Sequence, residues 1–288
     1  MNTIEIDKKK CVQCGLCVKD CISECIQMDE ENYPKMTHPA RCLKCQHCLA
    51  ICPKGALSFN GKNPKDSEAV NYDDLLTLIK SRRSIRHFNN DEIPEETFEK
   101  LKEMLHYVPT GCNSHALHFS IVEKREVMDV IRSKVNKNLI KAISNPVFST
   151  VGKKFIHYKE ALEKGEDIIF RGAPHIVVVS SPITAPCAPQ DPIIALSYLE
   201  LYAQHLGLGT CWCGYGEICV KIFPEISEIL EIPRGYVPIY TMLLGIPDVK
   251  YARTIQPEQY MISEIRNYIP KDSCIFCRIK RFVTNFLR

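Results

Sequence analysis

The pattern of hydrophobic and polar positions divides the chain into two unlike parts. Over roughly the first sixty residues, apolar residues come in short groups between cysteines and polar turns. From residue 75 onward, some stretches repeat apolar residues every three or four positions, and others are continuous and β-branched. The first pattern is typical of helices and the second of buried strands, so the longer part is predicted to contain both.

Helical periodicity marks several segments of the longer part. Asn71 or Asp73 is the expected cap of the first helix, Pro94 opens the second and Asp191 caps the last. The first helix is expected to carry Leu75, Leu76 and Ile79 on one apolar face. The predicted helices are Tyr72–Lys80, Glu95–Tyr107, Met128–Ile143 and Pro192–His205.

Strand and loop signals lie between these helices. The segment from Ser144 to Asp167 has no clear period, and we expect it to be mobile or lid-like. Thr210 to Gly216 is predicted to be a small-residue loop, like the turn-rich stretch around Pro109. The predicted strands are Leu117–Val122, Ile176–Ser180 and Val237–Leu244.

The strongest chemical signal is a cysteine pattern that occurs twice. Each run is spaced C-x2-C-x2-C-x3-C, and Pro53 follows the second run. This is the bacterial ferredoxin spacing, in which the fourth cysteine of each run ligates the other cluster. We therefore predict two [4Fe-4S] clusters. Their ligands are Cys11, Cys14, Cys17 and Cys52 for the first cluster, and Cys42, Cys45, Cys48 and Cys21 for the second.

Other uses of these cysteines fit less well. A structural zinc site uses paired knuckles and does not need the third cysteine, and a disulfide framework expects an oxidising compartment. Ile22 stands where the second run has Pro53. Cys25 lies close enough in sequence to replace Cys21 as a ligand. The repeat favours Cys21, which leaves Cys25 as a small buried thiol packing near the cluster.

The first sixty residues resemble a bacterial two-cluster ferredoxin. The resemblance implies a compact pseudo-twofold module of short strands and single-turn helices. Such a module has little apolar core, so its clusters would supply much of its folding free energy.

A second signal follows the first predicted helix. In extended chain, every second side chain points the same way, so Arg82, Ser84 and Arg86 would share a face while Ile85 turns toward the core. Two guanidinium groups and a hydroxyl suit a phosphate and an electron-rich ring edge. Taken alone, this stretch is more often a solvated basic turn.

Four short motifs in order resemble the nitroreductase-like flavoenzyme family over about two hundred residues. They are RRSIR from Arg82, PTGCNS from Pro109, LGLGTCW from Leu206 and LGIP from Leu244. The resemblance implies an α+β fold, a mixed sheet flanked by helices, and an obligate homodimer with FMN at the subunit interface. In this family the flavin performs the redox step.

The same resemblance assigns cofactor contacts by position. His115 stands where the family usually has Gln, and no dedicated acid–base residue is expected; His115, Cys112 and Tyr215 are the candidate proton donors. The expected FMN contacts are Arg82, Arg83, Ser84 and Arg86 for the phosphate and pyrimidine edge, Pro109, Thr110 and Asn113 from the partner subunit, Cys213, Gly214 and Tyr215 along the ring, and Lys250 or Arg253 on the phosphate.

Composition limits the other function classes. The 288 residues carry a net charge of +3. The last eighteen alone sum to +4 and the remainder is near neutral, so no face is typical of nucleic-acid binding. The charged N-terminus is not a signal peptide, and no apolar run approaches the roughly twenty residues that span a bilayer. Sixteen cysteines without an export signal indicate metal ligands and reduced thiols in the cytoplasm.

The predicted domains are a ferredoxin-like module (1–60), a linker (61–70), an FMN domain (71–270) and a basic tail (271–288). The tail carries a lone C-x2-C at Cys274 and Cys277 and near-helical apolar spacing. It is interpreted as a helix packing on the domain or on a partner subunit, with a membrane-surface helix and a redox dithiol as alternatives.

Together these features predict an FMN-dependent oxidoreductase that passes electrons between two [4Fe-4S] clusters and FMN. Its acceptor would be a small electron-poor compound such as a nitroaromatic or a quinone, or else a specific natural metabolite. Electrons would enter from a ferredoxin-like protein or from NAD(P)H, although no clear Rossmann fingerprint supports the nucleotide. The alternative is a non-catalytic carrier or redox sensor that serves a protein partner.

Overall fold

Residues 2–62, 74–144 and 154–266 are described by the structure, a computed structural model. Residues Met1–Gln256 form one compact unit and Pro257–Arg288 a second. Within the first unit, we call residues 2–62 the cysteine-rich module and residues 74–256 the main body. Most of the predicted linker and the whole basic tail lie outside the described residues, so the predicted domain boundaries stay predictions.

The cysteine-rich module is built from short strands and single-turn helices. β1 pairs antiparallel with β4, Ile4 opposite Phe59, and β2 pairs antiparallel with β3, Ile26 opposite Met36. Leu49, Leu57 and Phe59 fill a small core. The elements are β1 (Ile4–Ile6), α1 (Leu16–Lys19), β2 (Ile26–Met28), β3 (Pro34–Met36), a 3₁₀ turn (Pro39–Arg41), α2 (His47–Ile51) and β4 (Leu57–Phe59).

The backbone of the module repeats itself as the cysteine spacing does. α1 begins after Gly15 at φ 71° and α2 after Gln46 at φ 57°, so each helix is entered through a left-handed residue. Gln13 and Lys44 are also left-handed, at φ 55° and 54°. Each of these residues has the same place within its C-x2-C-x2-C loop, so the two loops share one backbone path.

The main body alternates helices and strands. Its helices are α3 (Leu75–Ser81), α4 (Glu95–Leu105), α5 (Arg125–Ser144), α6 (Lys159–Glu163), α7 (Asp191–His205), α8 (Gly214–Ile222) and α9 (Pro224–Ile229), and its strands are β5 (His118–Val122), β6 (His175–Pro182), β7 (Gly209–Trp212) and β8 (Tyr236–Gly245). In the part of the chain that the structure describes, no helix has both the length and the apolar character needed to cross a bilayer.

The four strands form one sheet in the order β5-β6-β8-β7, with antiparallel neighbours. Ser84 adds an isolated parallel bridge to Thr210 on β7, which makes the sheet mixed. β6 is buried on both faces, because Ile176 and Val178 contact one core cluster while Val177 and Val179 contact the other. Helices cover both faces, so the predicted α+β class is confirmed.

Two predicted features of the helices are corrected by the structure. Asp74 caps α3, its side chain accepting a hydrogen bond from the Thr77 N–H at 2.8 Å; the predicted caps at 71 and 73 lie outside the described residues. The expected apolar face of this helix is exposed, since Leu75 and Leu76 are 64% and 57% accessible, and Leu78 is buried instead. The predicted face does not enter the core of this chain.

Two predicted loops also differ from what the structure shows. The described part of the segment from Ser144 to Asp167 is packed rather than lid-like, because Phe155 and Leu162 lie in the core. The predicted small-residue loop from Thr210 to Gly216 is wrong: most of it is strand β7 and the first turn of α8. Its small residues permit close packing of a strand. Composition alone does not distinguish such a strand from a turn, because small residues occur in both.

We predict that stability falls at mildly acidic pH because of His175, which is fully buried on β6. Its Nε2 accepts from the Ile93 N–H at 3.2 Å and its Nδ1 lies 3.2 Å from the Val122 carbonyl. Burial lowers the pKa of His175 below its usual 6.5. Below pH 6.5 the unfolded chain therefore binds a proton that the folded chain does not, and the free energy of unfolding decreases.

The measurement is the thermal unfolding midpoint of the anaerobic protein between pH 5 and pH 8, compared with that of His175→Gln. The variant is expected to lose less stability than the wild type as the pH falls. Equal pH slopes for the two proteins would show that His175 does not cause the effect.

Candidate functional site

Two cavities in the cysteine-rich module are lined by cysteines from both runs. The first is lined by Cys11, Cys14, Cys17 and Cys52. The second is lined by Cys21, Cys42, Cys45 and Cys48, and by Cys25 as well. Each cavity thus takes three thiols from one run and its fourth from the other, a donor set that suits a [4Fe-4S] cluster.

Burial keeps several of these thiols protonated in the absence of iron. It raises the pKa of Cys17 to about 12 and also raises that of Cys48. Iron would have to displace these protons, which couples cluster binding to folding. Among the described residues, no three His, Cys, Asp or Glu side chains converge as ligands of a single metal ion. A [4Fe-4S] cluster does not need such convergence, because each of its four iron atoms takes one thiolate at a separate corner.

The arginine-rich segment after α3 runs extended beside β7. The Ile85 N–H donates to the Thr210 carbonyl at 2.7 Å, and a Cβ on Gly209 would lie 2.8 Å from the Ile85 side chain. Ser81, Arg83 and Ile85 are buried, whereas Arg82, Ser84 and Arg86 are partly exposed. The alternation separates Arg83 from the other predicted FMN contacts, because it lies on the opposite side of the segment.

Arg82 and Arg83 have different surroundings. The Arg82 guanidinium lies 3.2 Å from the buried Glu200 carboxylate, to which the Thr210 hydroxyl also donates at 3.5 Å. Arg83 donates to the backbone carbonyls of Lys80 and Arg82. It lines a separate cavity together with Lys250.

The third arginine, Arg86, reaches the cysteine-rich module. Its Nη1 lies 3.5 Å from Nδ1 of His47, the residue between Gln46 and Cys48. The His47 ring and the Tyr251 ring meet edge to face at 5.5 Å. Arg86 therefore lies where the ligand loop of the second cavity meets the main body.

Asp20, next to Cys21, is the buried centre of this contact. Its carboxylate accepts from the Tyr251 hydroxyl at 3.0 Å and lies 3.3 Å from His47 Nδ1 and 3.5 Å from His87 Nε2. We call Asp20, His47, Arg86, His87 and Tyr251 the junction network. It ties both cysteine runs to the main body through polar side chains.

The electrostatics of the junction network follow from burial. Burial lowers the pKa of His47 despite the neighbouring Asp20 carboxylate, and the Arg86 charge lowers it further. Burial and the Asp20 charge both raise the pKa of Tyr251. A neutral imidazole and a protonated phenol can therefore act as hydrogen-bond partners of the one carboxylate.

The segment after β8 follows helix α2. The Ala252 N–H donates to the Ala50 carbonyl at 3.0 Å, and the Arg253 guanidinium donates to the carbonyls of Cys52 and Leu49. These contacts commit Arg253 to the cysteine-rich module. The expected phosphate contact of Arg253 is therefore not favoured by its position, and Lys250 lies with Arg83 in the separate cavity.

The turn-rich loop after α4 is held from the start of α7. The Asp191 carboxylate accepts from the Gly111 N–H at 2.9 and 3.0 Å, and Gln190 occupies the cap position that was predicted for Asp191. The Thr110 hydroxyl accepts from the His115 N–H at 3.0 Å. The side chains of the predicted partner-subunit contacts, Pro109 and Asn113, and of the candidate proton donors Cys112 and His115, are on the surface of this loop.

Cys213, Gly214 and Tyr215 begin helix α8. The Cys213 sulfur accepts from the Gly216 N–H and donates to the Ile169 carbonyl, both at 3.2 Å, and burial raises its pKa to about 12. Tyr215 packs edge to face on Phe155 at 5.0 Å. Burial raises the pKa of Tyr215 too, so its phenol stays protonated at neutral pH.

Three guanidinium groups act on the thiol of Cys211, which lies on β7 just before this helix. The positive charges of Arg86, Arg171 and Arg82 each lower the pKa of Cys211, although its burial raises it more. The Glu200 carboxylate acts in the opposite direction and raises the pKa of Cys211, so this end of β7 has three guanidinium groups and one carboxylate around it.

Sequence reasoning gave no role to the junction residues Asp20, His47, His87 and Tyr251, nor to Arg171. One signal was available for His47. Gln46 and His47 stand where the first run has Gly15 and Leu16, and two polar residues there are out of place in a ligand loop that packs only on apolar surface. Arg171 gave no signal, because it lies in a stretch without periodicity.

Comparison with known proteins now decides the family. Residues 79–246 match the nitroreductase family. The chain belongs to the nitroreductase family. Residues 10–57 match the 4Fe-4S dicluster domain, so this family member carries a ferredoxin-like module at its N-terminus. The expected combination of the two is confirmed.

Individual relatives support each half. A Methanothermobacter thermautotrophicus protein named NADH dehydrogenase/NAD(P)H nitroreductase is 26% identical over 178 residues, 60% of this chain and 78% of that one. The FMN reductase [NAD(P)H] of Bacillus subtilis is 24% identical over 69% of this chain and 76% of its own length. Ferredoxin-3 of Nostoc sp. is 32% identical over 72 residues, 19% of this chain and 74% of that protein.

Solved structures share the nitroreductase fold of the main body. An FMN-dependent nitroreductase from Clostridium difficile aligns with a TM-score of 0.52 at 23% identity, covering 67% of this chain and all of that one. A nitroreductase with bound FMN from Bacteroides fragilis aligns with a TM-score of 0.51 at 22% identity, covering 66% of this chain and 99% of that one. The predicted nitroreductase-like architecture is confirmed.

Proposed function

We propose that this nitroreductase-family protein is an FMN-dependent oxidoreductase that passes electrons between two [4Fe-4S] clusters and FMN and reduces a small electron-poor acceptor. The observation that carries the proposal is the contact between Arg86 and His47. One residue belongs to the arginine face expected to hold FMN, and the other to a cysteine loop expected to hold a cluster. Their contact brings the two expected redox sites together.

The cysteine cavities supply the ligands for the clusters. Cys11, Cys14, Cys17 and Cys52 would hold the first cluster, and Cys42, Cys45, Cys48 and Cys21 the second. Each group of four lines one cavity, which supports the crossed assignment. The left-handed residues of both loops let short segments present three thiols toward one point.

The partly exposed face of the arginine segment supplies the main FMN contacts. Arg82, Ser84 and Arg86 offer two guanidinium groups and a hydroxyl for the phosphate and the pyrimidine edge. Bound FMN would supply hydride and single-electron chemistry. Arg171, near the end of β7, adds positive charge that the sequence interpretation did not include. Gly214 has no side chain, and the Tyr240 hydroxyl lies 3.3 Å from the position that a Cβ would take there.

The junction network keeps the cysteine-rich module at a fixed place on the main body. Asp20 and His47 are about 95% buried, so their hydrogen bonds to Tyr251 and to each other are shielded from water. Such a contact maintains a constant separation between the ligand loop and Arg86. Electron transfer between two sites in one protein needs that constancy.

Several parts of the proposal extend beyond this chain. The surface loop with Pro109, Thr110 and Asn113 would close over the FMN of a partner subunit in a homodimer. The names of two relatives include NAD(P)H, which supports the nucleotide as one electron donor; a ferredoxin-like protein acting through the clusters is the other. A reducing cytoplasm would suit both electron donors.

Steady turnover tests the proposal as a whole. The anaerobic holoprotein is supplied with reduced ferredoxin or with NAD(P)H, and oxidation of the donor is followed with a nitroaromatic or a quinone. Many turnovers per flavin are expected. Discharge of the reduced protein only to a protein partner would instead establish the electron-carrier alternative.

Replacing Arg82 and Arg86 with Ala is expected to remove FMN while the iron content stays at the wild-type level. Each guanidinium that contacts phosphate or the ring edge contributes a charge-assisted hydrogen bond of about 1.5–3 kcal/mol, so the double variant should bind FMN at least a hundredfold more weakly. Flavin absorbance and iron analysis measure both quantities. Arg234→Ala, at an exposed position, is the control; wild-type flavin occupancy in the double variant would refute the assigned site.

Cys52→Ala is expected to remove the first cluster and leave the second. Iron and acid-labile sulfide should fall by about half, because Cys52 completes the cavity of Cys11, Cys14 and Cys17. Cys219→Ala, a fully buried thiol in the main body, should keep all of its iron. Full retention of iron and sulfide in Cys52→Ala would contradict the crossed ligation.

A further inference from the structure

The two fourth ligands, Cys21 and Cys52, lie in nearly identical backbone turns. The Glu24 N–H donates to the Cys21 carbonyl at 2.9 Å, and the Gly55 N–H to the Cys52 carbonyl at 3.2 Å. Glu24 and Gly55 are both left-handed, at φ 50° and 58°. The turn around one ligand is therefore the counterpart of the turn around the other.

The residue after each turn has the same contact with its ligand. The Cys25 N–H donates to the Cys21 sulfur at 3.3 Å, and the Ala56 N–H donates to the Cys52 sulfur at 3.3 Å. Both residues are buried, at 1% and 2% exposure, and each leads directly into a strand. Cys25 and Ala56 are thus equivalent positions that differ by one thiol group.

That thiol belongs to the second cavity. Cys25 lines it together with the predicted ligands. In the structure its S–H donates to the Ser23 carbonyl over a long 3.6 Å, and its side chain is also within hydrogen-bonding reach of the side chains of Cys21 and Cys42. The first cavity contains no fifth cysteine among its lining residues, because Ala56 occupies the equivalent place.

We propose that Cys25 is a positioning residue whose single S–H, on the wall of the second cavity, turns from the Ser23 carbonyl to a ligand sulfur, that of Cys21 or Cys42, when the cluster is bound, and so raises the reduction potential of the second cluster relative to the first. The inference rests on the proposed function, since it requires both clusters. Hydrogen bonds to cluster sulfurs stabilise the reduced, more negative state. The reduction itself is unchanged: the cluster gains one electron from the reductant, no bond breaks, and Cys25 keeps its proton.

The higher potential would set the direction of flow inside the module. The second cavity is the one whose loop contacts Arg86 through His47. An electron that arrives at the first cluster would therefore move downhill to the cluster next to the main body. A single buried thiol, present in one half of the repeat and absent from the other, makes two similar sites unequal.

The test is an anaerobic redox titration of the holoprotein, with each cluster followed by electron paramagnetic resonance. Cys25→Ala is expected to lower the potential of the second cluster, reducing its reduced-to-oxidised ratio at fixed potential about tenfold, which corresponds to ~59 mV for one electron. Cys25→Ser, which keeps a donor, should restore much of the shift. Ala56→Cys, which adds the thiol to the other half of the repeat, should raise the potential of the first cluster.

Each outcome bears on a definite claim. Unchanged potentials in Cys25→Ala, with both clusters present, would overturn the inference and leave the proposed function intact. Loss of the second cluster in Cys25→Ala would also overturn the inference, because it would show that Cys25 is a cluster ligand. A wild-type protein without clusters would refute the proposed function itself. The unaffected first cluster of Cys25→Ala is the internal control.

Discussion

The burial of one carboxylate, Asp20, is the constraint on which the arrangement of the two parts depends. A buried charge is costly unless polar groups surround it, and here Tyr251, His47 and His87 do so. These partners come from the second cysteine loop, the arginine segment and the chain after β8. Satisfying Asp20 therefore requires all three to meet. The position of the cysteine-rich module on the main body follows from that requirement.

Close backbone packing gives the arginine segment its exposed and buried faces. Gly209 admits the Ile85 side chain against β7, and a Cβ on Gly245 would lie 2.8 Å from both Phe88 and Pro174. Because these glycines allow the segment to lie directly on the sheet, Ile85 is held inward. The alternation of extended chain then places Arg82, Ser84 and Arg86 together. Packing at two glycines thus determines which guanidinium groups are available to a ligand.

Burial and positive charge act in opposite directions on the thiols of this protein. Burial raises the pKa of Cys17, Cys45 and Cys48 in the module and of Cys211 and Cys213 in the main body, so these thiols stay protonated and are poor nucleophiles. In the module, iron would stabilise the thiolate much more strongly than any side chain does. In the main body, Cys213 and Cys219 lie in the hydrophobic core, where their thiols pack as apolar groups. The same residue type therefore has two uses in one chain.

The sequence by itself determined the elements whose cause is local. The spacing of eight cysteines predicted two ligand loops, because the covalent geometry of a short loop limits which thiols can face one cluster. Periodicity located α4, α5, α7 and β6 to within a few residues, since the burial of one face or of both leaves a direct trace in composition. Alternation placed Arg82, Ser84 and Arg86 on one side. The combination of a ferredoxin-like module with a nitroreductase-like body was also available from motifs.

Only the tertiary structure decided what depends on contacts between distant residues. Asp20, His47 and Tyr251 are separated by up to 231 positions, and no local pattern links them. Asp191 was predicted as a helix cap but binds Gly111, because a loop eighty residues away offers a backbone N–H in the fold. β7 and α8 were taken for a loop, since small residues serve close packing as well as turns. Arg253, one of two residues expected on the phosphate, donates to the Leu49 carbonyl of helix α2, a contact that the sequence could not indicate. Local periodicity in the sequence predicts the helices and strands. The pairing of buried polar groups that are distant in the sequence is decided only when the chain folds.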